Sequence, residues 1–466
     1  MLPDVALLEI FEFYMDNEDE DIETWHTLVH VCRKWRNVVF GSPRRLNLRL
    51  FYNASTPVTL DVWPPLPIVI CLRGYETSYV DNTIAAFNHN DRICELNLYI
   101  PSSQIMEKVL AAMQQPFPAL TRLRLWFVDE SSLVIPASFL GGSAPSLQTL
   151  SLNVNIPFSG LPDLLLSATH LICLCLYNVP HLEYISPEVM VTCLSVLTRL
   201  ELLSIEFEPP RSHPNPGTRR SPPRTRILLP VLTQLSFSGF SGFSEYLEGL
   251  MARIDAPLLH YLQITFFHQL TFCCPQLAEF IDRTPRFKGH DEARVEFSQE
   301  QVCVTLQDGA LVLGITASES GWQLSSLAQV YSSSFPRAFI RTVKCLYIIK
   351  DDVLSQLLWQ DDVESSQWLE LFHPFTAVTD LYLSSEFTQH IAPALQELVG
   401  ERVTEVLPAL QTLFLEDPSG PDREAIGQFV AARQLASRPP AVSHWEREDE
   451  ESSDETDEES YETDDE

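Results

Sequence analysis

Apolar residues recur along this chain in two rhythms. The first forty residues follow a helical one. Leu2-Pro3-Asp4 makes a good helix start, because Pro suits the first turn and Asp sits well at the positive end of the helix dipole. Val5, Leu7, Leu8, Ile10, Phe11, Phe13 and Tyr14 then cover nearly the whole circumference. A short helix that is apolar all round must be covered on several sides. An acidic break follows at Asp16–Asp21. A second helix is expected over Thr24–Phe40, with Leu28, Val31, Cys32 and Trp35 on one face and Arg33, Lys34 and Arg36 off it. Gly41-Ser42-Pro43 ends it.

From about Leu50 to Glu416 the rhythm becomes short runs of period two, which place one face of a strand inward. Leu-x-x-Leu-x-Leu recurs as Leu120-Leu123-Leu125, Leu147-Leu150-Leu152 and Leu171-Leu174-Leu176. Looser versions are Leu96-Leu98, Leu203-Ile205, Leu232-Leu235-Phe237, Leu259-Leu262-Ile264, Leu346-Ile348, Leu381-Leu383 and Leu410-Leu413-Leu415. The same position returns at residues 96, 123, 150, 174, 203, 235 and 262, in steps of 24 to 32 residues. That is roughly the leucine-rich-repeat period. The remainder of each unit suffices for a turn, a helix such as Gln104–Ala112, and a return, so the next strand lies parallel beside the last. Between Ile264 and Leu346 the repeat blurs, and Val295-Phe297 and Val302-Val304-Leu306 read as strands with shorter connections. The alternative is a set of ordinary α/β strands that happen to carry leucines.

Charge narrows the partners. The 466 residues include 31 Lys+Arg against 63 Asp+Glu, a formal charge of −32. A nucleic-acid binder needs a basic footprint, and an anionic membrane surface attracts one, so neither partner is expected. Glu446–Glu466 holds 14 acids and one Arg, and its composition cannot offset ordering entropy, so a disordered acidic tail is expected. Subtracting its −13 from −32 leaves −19 on the rest. Pro209–Arg226 carries six Pro and five Arg. It reads as an exposed loop insertion, a docking arm or a localisation signal. The 10 Cys include no Cys-x-x-Cys, and Cys173 and Cys175 read as small hydrophobes in a reducing compartment. Met1–Ile10 lacks a basic leader region and no apolar run reaches 18 residues, so neither a secretory signal nor a spanning helix is expected. No nucleophile elbow, phosphate-binding loop or zinc spacing is present. Neither cofactor nor metal is expected, and no enzyme activity.

Two stretches resemble a known family. Leu2-Pro3-Asp4-Val5-Ala6-Leu7-Leu8-Glu9-Ile10-Phe11 and Val31-Cys32-Arg33-Lys34-Trp35 are similar to the opening and the Val-Cys-Arg-x-Trp end of the F-box. The continuation Val38 to Leu48 looks like the form common in mushroom-type fungal families, which often carry degenerate leucine-rich repeats. The resemblance covers about 50 residues. It implies a substrate-recognition adaptor of an SCF-type cullin–RING ubiquitin ligase, its F-box docked on the ligase adaptor subunit and, through it, on a cullin. By position, Leu2, Pro3, Leu7, Ile10 and Phe11 on the first helix would touch that adaptor, and Leu28, Val31, Cys32 and Trp35 on the second would pack beside them at the interface, with Trp35 partly core. The alternative is a ligase-independent interaction protein with a vestigial F-box.

The expected fold class is therefore α/β. A helical F-box-like domain at residues 1–49 precedes an irregular leucine-rich-repeat solenoid at 50–437, with its insertion at 209–226, and a disordered acidic tail at 438–466. A protein substrate would lie on the strand face, on Arg124, Trp126, Asn153 and Tyr177, because exposed aromatics and Arg are the usual interface anchors. Cytoplasmic or nuclear residence is expected.

Overall fold

The computed structural model describes residues 2–16, 24–53, 64–73, 77–127, 129, 133–180, 185–207, 226–240, 244–267, 274–288, 291–297, 301–306, 309–316, 340, 342–350, 365–417 and 423–446. The Asp16–Asp21 break past Asp16, the Pro209–Arg226 insertion up to residue 225, and the tail from Arg447 lie outside them.

Three helices open the chain: α1 (Asp4–Asp16), α2 (Thr24–Val31) and α3 (Arg33–Gly41). The single helix expected over Thr24–Phe40 is two. Cys32 breaks it with an extended backbone, and its Sγ accepts the Trp35 amide, so the thiol caps α3 instead of continuing α2. Phe11 of α1 packs edge-on against Trp35 at 4.8 Å. Trp25 is buried and its indole N–H donates to the Arg49 carbonyl at 2.8 Å, which ties the helices to the first strand.

The rest builds one 16-stranded sheet. Its N-terminal part comprises β1 (Leu50–Asn53), β2 (Ile68–Arg73), β3 (Ile93–Ile100), β4 (Arg122–Phe127), β5 (Thr149–Val154), β6 (Cys173–Val179) and β7 (Leu202–Phe207). After a short β8 (Ile227–Leu228), the sheet continues with β9 (Gln234–Phe240), passes a short β10 (Ile254–Asp255), and reaches β11 (Tyr261–Phe267). Beyond lie β12 (Glu292–Phe297), β13 (Gln301–Leu306), β14 (Leu311–Thr316), β15 (Cys345–Lys350), β16 (Asp380–Leu383), β17 (Thr412–Leu415) and β18 (Ala441–His444).

The leucine spacing sets the register. Leu96, Leu123, Leu150, Leu174, Leu203, Leu235 and Leu262 are bridge partners, each with the next, across seven parallel strands. All seven are buried. Leu346, Leu381 and Leu413 form the same line near the other end. A one-residue slip would turn every one of them to solvent, which is why the pattern fixes the pairing.

Helices α4 (Thr77–Ala86), α5 (Ser103–Ala112), α6 (Leu161–Ser167), α7 (Pro187–Leu194), α8 (Ser244–Met251), α9 (Pro275–Arg283), α10 (Ser365–Phe372), α11 (Ser385–Gln396) and α12 (Arg423–Leu435) cover one face. Their apolar sides join the strand leucines in one continuous core that also includes Leu7, Phe11 and Trp25. Packed helices need roughly 8–10 Å each and paired strands about 4.8 Å, so the sheet side of such an array is the concave one. The other sheet face carries no helix among the described residues and is called the open face below.

Two expectations on the sheet change. The blurred region is an antiparallel meander inserted in reverse: β14 pairs parallel with β11, β12 pairs parallel with β15, and β13 lies antiparallel between them. Residues 438–446 are also not part of a tail. Ala441–His444 adds a parallel edge strand to β17 through backbone bonds and the His444 ring, whose Nδ1 lies 3.2 Å from the Leu415 carbonyl, with every side chain exposed, so no hydrophobic alternation announces it. Arg433 anchors this end. It is fully buried, and its guanidinium donates to the carbonyls of Val403, Leu407, Leu410 and Arg438 at 3.1–3.5 Å.

Candidate interaction surfaces

The N-terminal helices divide the nine residues placed at an adaptor interface. Leu7, Phe11 and Leu28 are buried in the chain's own core, and Trp35 is half-buried against Phe11. For Leu7, Phe11 and Leu28 this corrects the expectation that they meet a partner, whereas Trp35 is partly core as expected: α2 and α3 already cover the inward side of α1. Leu2, Pro3, Ile10, Val31 and Cys32 are exposed. At about 100° per residue, Val5, Ile10 and Phe13 share one side of α1, opposite Leu7 and Phe11. Ile10 is 50 % exposed, Val31 59 % and Phe13 74 %. Beside them Lys34 pairs with Asp4 at 3.1 Å and donates to the Leu2 carbonyl at 2.6 Å, which fixes the start of α1 against α3.

The open face has two differently built halves. In the N-terminal half, bridge partners line up as Asn97, Arg124, Ser151 and Cys175 in one row and as Arg73, Tyr99, Trp126, Asn153 and Tyr177 in the next. Arg124 is exposed and Trp126 is 43 % exposed, while Asn153 and Tyr177 are half-buried. The four residues expected to face a substrate therefore share one patch. Asn178, with a left-handed backbone, donates to the Asn153 side chain at 2.7 Å and holds it. Buried Glu95 accepts from Arg122 at 2.9 Å and from Arg49. Among the described residues, Arg73 and Arg124 have no carboxylate partner.

Cys173 and Cys175 lie on this face with their sulfurs 3.7 Å apart. Their alternation puts both on one side of β6, opposite buried Leu174. Either sulfur can donate in this contact; the bond from Cys173 lowers the Cys175 pKa to about 7 against the opposing effect of burial, with Tyr177 and Arg124 acting in the same direction as the bond. Cys173 itself is pushed up, first by that bond and then by burial. Both thiols are free and Cys175 is buried, in keeping with their reading as small hydrophobes; the sulfur contact is an addition that the period-two spacing of two thiols could have signalled.

In the C-terminal half the same row becomes Arg294, Tyr347, Tyr382 and Phe414. Tyr347 stacks on Tyr382 at 4.2 Å and 13°, and Tyr382 on Phe414 at 4.3 Å and 3°. The Arg294 guanidinium lies 5.5 Å from the Tyr347 ring centre and pairs with Glu292 at 2.9 Å. Trp445 folds back from β18 and sets its edge against Tyr382 at 5.6 Å and Tyr347 at 6.2 Å. Burial and then the Glu292 charge push the Tyr347 phenol upward.

Between the sheet and α6–α8 lies an apolar cavity of about 50 Å³, lined by Leu152, Phe158, Leu176, Ile205, Phe207 and Tyr246 among others. Tyr177 also borders it, so the cavity lies next to the N-terminal half of the open face. Among the described residues no three His, Cys, Asp or Glu groups gather to hold a metal, and no helix is long and apolar enough to cross a membrane.

No family model matches the chain, and no curated protein matches it. Among solved structures, the leucine-rich repeat-containing protein LegL7 from Legionella pneumophila is similar at 14 % identity. That match covers 82 % of this chain and 96 % of the other, with a TM-score of 0.27.

Proposed function

We propose that this chain is a protein-interaction adaptor, and more narrowly the substrate receptor of an SCF-type ubiquitin ligase. The N-terminal helices would dock on the ligase adaptor subunit, and through it on a cullin, while the open sheet face would capture a protein target. The exposed apolar side of α1 carries the proposal: Leu2, Val5 and Ile10, with Val31 nearby, are exposed apolar residues of the kind that mark an interaction surface. The F-box-like sequence over the same residues supports the choice of partner. The open face supports target capture, since Trp126 and Arg124 are the residue types that anchor interfaces. On this proposal the protein catalyses nothing itself and needs no cofactor.

The test is co-purification with the adaptor subunit. Ile10→Asp and Val5→Asp each place a carboxylate on the exposed side of α1, and each is expected to abolish adaptor binding. Leu7→Asp is unsuitable, because Leu7 is buried inside the chain. Unchanged co-purification in both surface variants, with the fold intact by circular dichroism, would overturn the ligase assignment. It would leave an interaction protein independent of the ligase. The burial of Leu7, Phe11 and Leu28 favours that second reading, since it leaves a smaller docking side.

A further inference from the structure

The open face of a chain with formal charge −32 contains a cationic patch. Arg73 and Arg124 stand on it without a carboxylate partner among the described residues. Tyr99 and Trp126 lie between and beside them in register, and Trp126 is 43 % exposed. Arg122, shared with buried Glu95, adds charge from the next row. Such a surface suits an extended segment that carries carboxylates and one aromatic ring: the guanidinium groups bind oxygen and the indole takes the ring.

The end of the described chain points to where such a segment comes from. Trp445 turns back from the edge strand over the open face. Its indole N–H donates to the Leu383 carbonyl at 3.3 Å, and its ring reaches Tyr347 of β15. The chain therefore leaves β18 toward the middle of the sheet. Nine strand steps separate β15 from β4. At about 4.8 Å each that is roughly 43 Å along the sheet, and a curved sheet makes the direct path shorter. An extended chain at about 3.3 Å per residue covers it in roughly 13 residues, which from Glu446 arrives near Glu459. The residues beyond are Tyr461, Glu462, Thr463, Asp464, Asp465 and Glu466: one aromatic and four carboxylates. The stretch crossed on the way holds Glu292 and Glu296 of β12, so like-charge repulsion keeps the intervening acids from settling there.

We infer that the Arg73–Tyr99–Arg124–Trp126 patch is an anion-accepting groove whose resident occupant is this chain's own Tyr461–Glu466 segment. The segment occupies the surface assigned above to target capture, so an incoming acidic target must displace it. That regulatory meaning rests on the capture proposal. The contact itself does not, and its test contains no ligase subunit.

The experiment uses a fluorescent synthetic peptide of residues 447–466 and fluorescence anisotropy at low salt. It compares the full chain with a chain ended after Glu446. The truncated chain is expected to bind the peptide, and the full chain at least tenfold more weakly, because a tethered competitor acts at an effective concentration near the millimolar range. Arg124→Glu and, separately, Arg73→Glu in the truncated chain should each weaken binding at least tenfold. Both positions are exposed, so the fold is retained, as circular dichroism checks. Raising the salt should weaken binding further, since surface attraction is screened within about 8–10 Å. Equal binding by the full and truncated chains, indifference to both Arg substitutions, or no binding to the truncated chain would each overturn the inference.

Discussion

The two halves of the open face use one position of the repeat in opposite ways. In β3–β6 it carries Asn97, Arg124, Ser151 and Cys175, whose side chains vary in kind, and the exposed Arg124 has no carboxylate partner among the described residues. In β15–β17 it carries Tyr347, Tyr382 and Phe414, which stack on one another at 4.2 and 4.3 Å. Arg294 covers one end of that stack and Trp445 leans on it from above. Half-buried aromatics occur in both halves, yet only in the first do their neighbours leave polar capacity unused. Aromatic content alone is therefore a poor marker of a docking surface. An unmatched charge beside an exposed ring is a better one, because a ladder of mutual contacts stabilises the fold and has little left for a partner.

The comparison can be broken from either end, and the largest effect belongs to the anchor of the C-terminal half. Arg433→Ala should destabilise the protein by about 3 kcal/mol or more, since several buried carbonyls lose a charged donor. A urea titration followed by far-UV circular dichroism measures it; an unchanged midpoint would mean that the last strand is not held by this side chain. Tyr382→Ala removes two stacked contacts and should cost about 2 kcal/mol in the same titration. Trp126→Ala, on the other half, should alter stability by no more than about 0.5 kcal/mol while lowering target capture. If Trp126→Ala proved as destabilising as Tyr382→Ala, the division between a binding half and a self-satisfied half would fail.

The smallest effect is chemical. Cys175 is held below the ordinary thiol range by the Cys173 S–H bond, so its thiolate fraction rises at a lower pH than that of a free cysteine. Alkylation by iodoacetamide, followed by peptide mass spectrometry, should show a midpoint below the usual value of about 8.5. Cys173→Ala removes the donor and should move that midpoint upward.

Much of this organisation was legible in the chain, and the misses have physical reasons. The steps between Leu96 and Leu262 gave the register directly, because a period-two side-chain rule leaves one pairing that buries every leucine. The four candidate residues Arg124, Trp126, Asn153 and Tyr177 followed from the same alternation and do share a patch. The stacked ladder was equally readable: Tyr347, Tyr382 and Phe414 each follow a leucine already recognised as part of a repeat, but irregular unit lengths obscured the line. Two features were not readable. The helix break at Cys32 depends on a thiol acting as a cap, a role sulfur fills less often than oxygen. The strand Ala441–His444 is held by backbone bonds to β17 and buries no side chain, so hydrophobic pattern carries no trace of it. The split of the N-terminal residues into covered and exposed sets was also hidden, since a helix apolar all round gives no hint of which side its own chain will claim.

The reversed meander has a consequence for how this protein could be edited. Across β3–β5 each strand sits beside its sequence neighbours, so a block running from Leu123 to Thr149 could be removed and the flanking strands would still meet leucine to leucine. Around Glu292–Thr316 that modularity stops. The chain leaves β11, skips two places to lay down β12 beside the future site of β15, and works back through β13 to β14. β12 and β14 each have one neighbour outside the meander, β15 and β11, with β13 joining them, and cutting out any one of the three parts the two ends of the sheet. The array can be lengthened or shortened on its N-terminal side like beads on a string, whereas its middle is a clasp that works only whole.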